Sequence, residues 1–185
     1  MGMWDVNRAL GVGANVYHVY IASMIARFRD LGLLKFGVIL RASEDTGRRV
    51  AQYFTALGVK LGSVEEALEL LNLTLGFSDE VRARVVDGGT LEVAFSKDTC
   101  KICPRNIGGL ELPGPACPNV GFVKGFLEEL GLAKLKEKFN VANGELPVEQ
   151  RDGYCVIRYQ ILERKAPEGA AQAPLATALV SARST

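Results

Sequence analysis

The chain has 185 residues, 48% hydrophobic and 23% charged, a composition with enough apolar material for a folded core. Its 22 Lys and Arg stand against 21 Asp and Glu, a net charge of +1. That excludes the basic footprint of a dedicated nucleic-acid binder or a polybasic membrane-surface protein. A single His, His18, leaves almost nothing for His-rich metal sites or for Ser-His and Cys-His catalysis. The four cysteines therefore carry most of the chemistry.

The N-terminus shows no basic region followed by an apolar stretch and a small-residue cleavage site, so a cytoplasmic location is expected. The longest apolar candidate, from Val16 to Leu34, is cut by Arg27, Arg29 and Asp30 and is not a membrane span. Residues 1–14 are Gly-rich and read as an irregular arm, with Trp4 and Leu10 as its docking candidates. Asn15 to Gly32 reads as a helix: Tyr17, Ile21, Met24, Phe28 and Leu31 recur at helical spacing behind an Asn cap. Val19, Ala22, Ile25 and Ala26 cover much of its other surface, so two sides of this helix want burial. Phe36 to Leu40 reads as a strand or connection, and Ser43 to Leu57 as a second helix. Ser63-Val-Glu-Glu66 is a capping box opening a third helix, which Gly76 ends.

The period then changes to two. Val81, Ala83 and Val85 alternate with charged residues, Asp87-Gly88-Gly89 signals a hairpin, and Leu91, Val93 and Phe95 return. An irregular loop from Asp98 to Pro118 leads into a helix from Asn119 to Gly131, in which Gly121 and Gly125 allow close backbone approach. Lys134 to Ala142 and Tyr154 to Leu162 read as strands joined through Asn143-Gly144, and the Pro/Ala-rich end reads as a tail with a short apolar turn at Leu175 to Val180. Together these predict one α+β domain over 15–163: N-terminal helices packed on an antiparallel sheet of about four strands, with a 164–185 tail.

Cys100-x2-Cys103 is followed by Cys117 after thirteen residues and by Cys155 after thirty-seven more. A tight turn lets two thiolates reach one ion, Lys101 between them would stabilise the thiolates, and Zn2+ accepts four sulfur ligands. Cys117 stands where a helix begins, which favours its thiolate, and Cys155 enters from the last strand. Such a closed Zn2+ site would be structural rather than catalytic. A redox or structural disulfide at Cys100/Cys103 or Cys117/Cys155 stays open, as do four independent thiols. No helix begins at the Cys100-x2-Cys103 pair, so a thioredoxin-like reading is poor.

Four motifs resemble the 4-vinyl reductase domain family, whose fold is shared with small TRAPP tethering subunits. They are Phe36-Gly-Val-Ile-Leu-Arg-Ala-Ser-Glu-Asp-Thr-Gly47 leading into a helix, the Ser63-Val-Glu-Glu-Ala-Leu helix with its hairpin, Cys117-Pro-Asn-Val-Gly-Phe-Val-Lys-Gly-Phe-Leu-Glu128, and Asp152-Gly-Tyr-Cys155-Val-Ile-Arg-Tyr-Gln-Ile161. They span roughly residues 15 to 162. The resemblance implies dimerisation through N-terminal helices and a site for an apolar small molecule between helices and sheet. In some sensor members, Cys residues matching Cys117 and Cys155 bind zinc together with a Glu and a further Cys just before the last strand. Here that stretch has no Cys, and Cys100 and Cys103 stand upstream instead.

Phe95, Phe122 and Phe126 are candidates to line the ligand site, with core packing as the plainer role. Tyr17, Ile21, Met24 and Phe28 are the candidate dimer face. Glu145 or Glu149 is a fallback fourth zinc ligand, and His18 a weak one. The expected function is a zinc-stabilised, homodimeric sensor or binding domain for a hydrophobic small molecule, leaning away from an enzyme. A thiol redox or accessory enzyme using Cys100/Cys103, or a ligand-free tethering subunit, are the alternatives. Nothing forms a dinucleotide fingerprint, and Gly11-Val-Gly13 is too short for a phosphate loop.

Overall fold

The computed structural model describes residues 4–140 and 143–164. Along them run α1 (Val6–Gly11), α2 (Val16–Asp30), α3 (Phe36–Ala56), α4 (Val64–Leu75), β1 (Val81–Val86), β2 (Thr90–Ser96), α5 (Asn119–Glu129), β3 (Ala133–Glu137), β4 (Glu149–Arg151) and β5 (Tyr154–Arg164). The expected tail, including its Leu175 to Val180 turn, lies outside the described residues, as does the end of the Lys134 to Ala142 strand. Among the described residues no helix is long and apolar enough to cross a membrane.

The α+β class and the antiparallel sheet are as expected. The sheet has five strands in the order β1-β2-β5-β3, with β4 also on β5. β3 follows the C-terminal half of β5 and β4 its N-terminal half, so the two share one edge. The β1–β2 turn puts Asp87 and Gly88 in the left-handed region, as its sequence demands. The hairpin into β5 turns at Asp152 and Gly153, both left-handed, rather than at Asn143-Gly144.

Two further expectations are corrected. The N-terminal arm is not wholly irregular: Asp5 caps α1 by accepting from the Asn7 amide. Phe36 to Leu40 is neither strand nor connection but the start of α3. Its residues extend the stripe of Gly47, Ala51 and Phe54 backwards at helical spacing, and Ile39 is buried. Ser43, expected to begin the second helix, lies inside α3, its hydroxyl donating back to the Leu40 carbonyl at 3.1 Å.

The main core lies between one sheet face and α3, α4 and α5. Leu91, Val93 and Phe95 of β2 stand opposite Tyr159, Ile157 and Cys155 of β5, all toward the helices. Buried Tyr159 donates its hydroxyl to the Val120 carbonyl at 2.7 Å. α5 lies against α3 with glycine at the contact: a Cβ at Gly121 or Gly125 would overlap the carbonyl oxygens of Leu40 or Glu44. Glu44, 2% exposed, takes Arg41 and Arg48 on its own helix, and Lys124 of α5 stands 3.6 Å from it.

α2 is not part of this layer. Its inner residues join two small clusters, Ala22 with Ala9 and Ile107, and Ala26 with Ile39, Leu110 and Ala116. It rests chiefly on the loop between β2 and α5. Asn15 and His18 form a reciprocal cap, the His18 amide donating to Asn15 and the Asn15 amide to His18 Nδ1. That leaves Nε2 to donate to the Leu75 carbonyl at 2.7 Å. Nδ1 of His18 thus closes the cap of α2, and Nε2 joins that helix to the end of α4.

On the opposite sheet face, Glu92 is 4% exposed and stands directly across from Arg84 and Arg158. Arg84 donates twice to its Oε2, at 2.8 and 2.6 Å, Arg151 once at 3.1 Å, and Arg158 reaches Oε1 at 2.9 Å. Burial would push this carboxyl up, but the hydrogen bonds from Arg158, Arg84 and Arg151 hold it down at about 2.

Candidate functional site

The loop between Ser96 and Asn119 is irregular but well tied. The Lys101 amide donates to the Phe77 carbonyl at 2.8 Å, and the Cys103 carbonyl accepts from Ile107 at 2.9 Å and Gly108 at 3.2 Å. Trp4 docks as expected, donating to the Ile107 carbonyl at 2.7 Å, whereas Leu10 is exposed. Asp30 at the end of α2 accepts from the Glu111 and Leu112 amides. A Cβ at Gly108 would overlap the Ala22 carbonyl, so loop and helix backbones touch.

This loop, the start of α5, β5 and the segment around Leu146 to Val148 enclose a cavity of about 340 Å3. Cys100, Cys103, Cys117 and Cys155 all line it, although they come from three separate parts of the chain. Phe95, Ile102, Pro115, Val148 and Ile157 supply apolar wall. Lys97 and Arg105 are its two cationic side chains, and among the described residues no carboxylate lines it. The volume lies in the range of small-molecule sites.

All four cysteines are free thiols. Burial pushes Cys100 up to about 12, the neighbouring Cys103 and Cys155 add to this, and the amides of Ile102 and Cys103 oppose it. Cys117, expected at the helix start to favour the thiolate, is instead raised well above its ordinary value by burial and by Cys100 and Cys103, against a hydrogen bond from the Asn119 amide. Cys155 is raised by burial and by Cys103, with Lys97 pulling the other way. The thiols are close enough for each ionised one to oppose the next. Burial therefore holds Cys100, Cys117 and Cys155 toward the protonated form. Among the described residues no three His, Cys, Asp or Glu side chains already stand as a group able to hold a metal ion. The four cysteines share one cavity wall without standing as such a group. Lys101, expected to favour the thiolates, instead pairs with Asp79 at 3.4 Å.

The other candidates divide. Phe95 lines the cavity. Phe122 and Phe126 do not; they belong to an aromatic cluster with Phe77 and Phe54, ring centroids 5.4 and 5.9 Å apart. Tyr17, Ile21, Met24 and Phe28 are all exposed, with Tyr20 and Leu31 extending the same face. Glu149 faces away, paired with Arg158 at 2.8 Å, and Glu145 is not part of the cavity wall. Lys97, Arg105 and Asn119 line the cavity although the spacing of the cysteines gave no sign of them; only the adjacency of Asn119 to Cys117 was a hint.

A family model described as the MJ0207 family matches residues 32–161. The chain belongs to the MJ0207 family. The matched span takes in α3, the whole sheet save the end of β5, and all four cysteines, and begins after α2. A relative from Methanocaldococcus jannaschii, "Uncharacterized protein MJ1342", is 32% identical over 93 residues, which is 50% of this chain and 78% of that protein. Among solved structures, the "Cs" H-NOX variant carrying 4-cyano-L-phenylalanine overlaps with a TM-score of 0.45 at 11% identity, covering 85% of each chain. A mutant of the T. tengcongensis H-NOX overlaps with a TM-score of 0.42 at 12% identity, covering 85% of this chain and 86% of that one. Likenesses this loose assign no ligand to this MJ0207-family protein.

Proposed function

We propose that this protein is a non-catalytic binding domain, stabilised by one zinc ion on Cys100, Cys103, Cys117 and Cys155, whose cavity takes an apolar small molecule. The observation that carries the reading is the convergence of all four cysteines on one cavity. A divalent ion on four thiolates has a charge of −2, and Lys97 and Arg105 are the wall cations available to balance it. The amides of Ile102, Cys103 and Asn119 point the same way, since hydrogen bonds to sulfur favour the thiolate. A bound ion would tie loop, α5 and β5 together and would leave the protein without a reactive thiol there.

The second part of the reading is a homodimer through α2 in a reducing cytoplasm. It is supported by the exposed stripe of Tyr17, Ile21, Met24 and Phe28 and by the 4-vinyl reductase resemblance. Metal analysis with thiol titration on the purified full-length protein tests the first part. One tightly held zinc per chain with four protected thiols is expected, and Cys117→Ser should lose it. Metal-free protein with a reversible Cys100–Cys103 disulfide would instead establish the thiol redox reading. Sedimentation at micromolar protein should give twice the chain mass; a monomer at every concentration removes the α2 dimer.

A further inference from the structure

α1 and α2 rest chiefly on one short segment, and both ends of that segment are cysteines of the cavity. Thirteen residues separate Cys103 from Cys117. Among them Ile107 packs with Ala9 and Ala22, while Leu110 and Ala116 pack with Ala26 and Ile39. The Ile107 carbonyl accepts from Trp4 at 2.7 Å, and the Glu111 and Leu112 amides donate to Asp30 at 3.3 and 2.9 Å. At Gly108 the segment touches the α2 backbone itself. It is also braced internally. Arg105 donates to the Leu112 and Gly114 carbonyls at 3.1 and 2.5 Å, and the Leu110 amide to the Pro104 carbonyl at 2.9 Å.

We infer that the ion on the four cysteines controls the docking of α1 and α2, so that the exposed stripe of Tyr17, Ile21, Met24 and Phe28 is held in place only when the site is loaded. This rests on the zinc-stabilised binding domain proposed above and adds the regulation of that same site. The two states differ in whether the ends of the Cys103–Cys117 segment are fixed. One ion on both cysteines closes the segment into a loop and removes much of its freedom. α1 and α2 then meet a surface that is already ordered, and less entropy is lost on docking. With the ends released, the two small clusters beneath α2 do not hold the segment in shape. The coupling is reciprocal: contacts that fix α2 on the segment hold its two cysteines in position and tighten the ion.

Trp4 is the single tryptophan of the chain, and its bond to the Ile107 carbonyl makes its fluorescence a direct report of docking. Docked, it is 45% exposed. Chelating zinc from the loaded full-length protein should therefore red-shift its emission and raise acrylamide quenching about twofold, while most of the helical circular dichroism remains. Asp30→Ala, outside the cavity, should weaken zinc binding at least about fivefold in competition with a chelator. Glu92→Gln, on the outer sheet face, should leave zinc affinity unchanged, which separates this coupling from general destabilisation. Trp4 emission that ignores chelation, or unchanged zinc affinity in Asp30→Ala, overturns the link and leaves the binding-domain reading intact. So does loss of all helical signal on chelation, since the ion would then hold the domain as a whole. A protein that takes up no zinc overturns both.

Discussion

Strand β5 carries two clusters on its two faces, and they differ in what they lack. On the outer face Arg158 helps to cage Glu92, a buried charge whose counter-charges all come from the chain itself. On the inner face, three residues away, Cys155 shares a cavity wall with Cys100, Cys103 and Cys117, and burial raises the pKa of Cys100, Cys117 and Cys155. One cluster is complete as folded. The other is, on the function proposed above, a set of donors that an ion would complete. A buried group that meets its partner within the chain supports the fold under all ordinary conditions, whereas donors of one kind gathered around a void make stability depend on what the solution supplies.

The largest expected effect separates the two clusters outright. Stripping metal from the protein with a strong chelator should cost about 4 kcal/mol of unfolding free energy if the ion is held at a thousand times its Kd, measured by denaturant titration with and without added zinc. Because burial and neighbouring thiols raise the pKa values of Cys100, Cys117 and Cys155, metal uptake must displace protons. Affinity should therefore rise with pH and fail on acidification. Glu92 should be indifferent to metal throughout.

The next effect tests whether α5 sets the position of Cys117. Gly125→Ala drives a methyl into the Glu44 carbonyl and should cost about 2–3 kcal/mol through overpacking. Zinc content should fall with it if the start of α5 shifts; full zinc content would show that the loop alone places that ligand.

The smallest is the outer cage. Glu92→Gln should cost about 2 kcal/mol at pH 7, a pKa depression of more than two units discounted for the partial exposure of its arginines. Its folded pKa is lowered, so the stabilisation is fully present above the unfolded value near 4.5 and is lost as pH falls toward 2. Wild type and variant should converge over that window in pH-dependent thermal melts. A gap that persists at pH 2 would mean that the carboxylate charge is not its source.

Local signals carried most of the fold into view. Ser63 and Gly76 bound α4 because cap chemistry is short-range, and Asp87-Gly88 marks the first hairpin for the same reason. The errors arose where a local signal was ambiguous or a distant one decided. Ser43 was read as the start of a helix but bonds backwards inside α3, and Asp152-Gly153 turns the chain where Asn143-Gly144 was the more familiar pair. Phe122 and Phe126 were right as apolar positions, but only the packing of Phe54 and Phe77 decides that they serve the core. The cysteines could be counted from the sequence and not gathered, since the distance between Cys117 and Cys155 is set by the whole sheet.

The attachment of α2 to the cysteine loop has a kinetic consequence. The ties of α2 and of the segment before α1 span long stretches of chain, Asp30 to Leu112 across 82 residues and Trp4 to Ile107 across 103, and closing such loops comes late in folding. The two clusters beneath α2 are small, so little holds it once those ties break. α1 and α2 are thus expected to fold last and to open first, exchanging their amide hydrogens well below the free energy of global unfolding while α3 and α5 remain protected. A second chain seated on the exposed face of α2 would slow that opening.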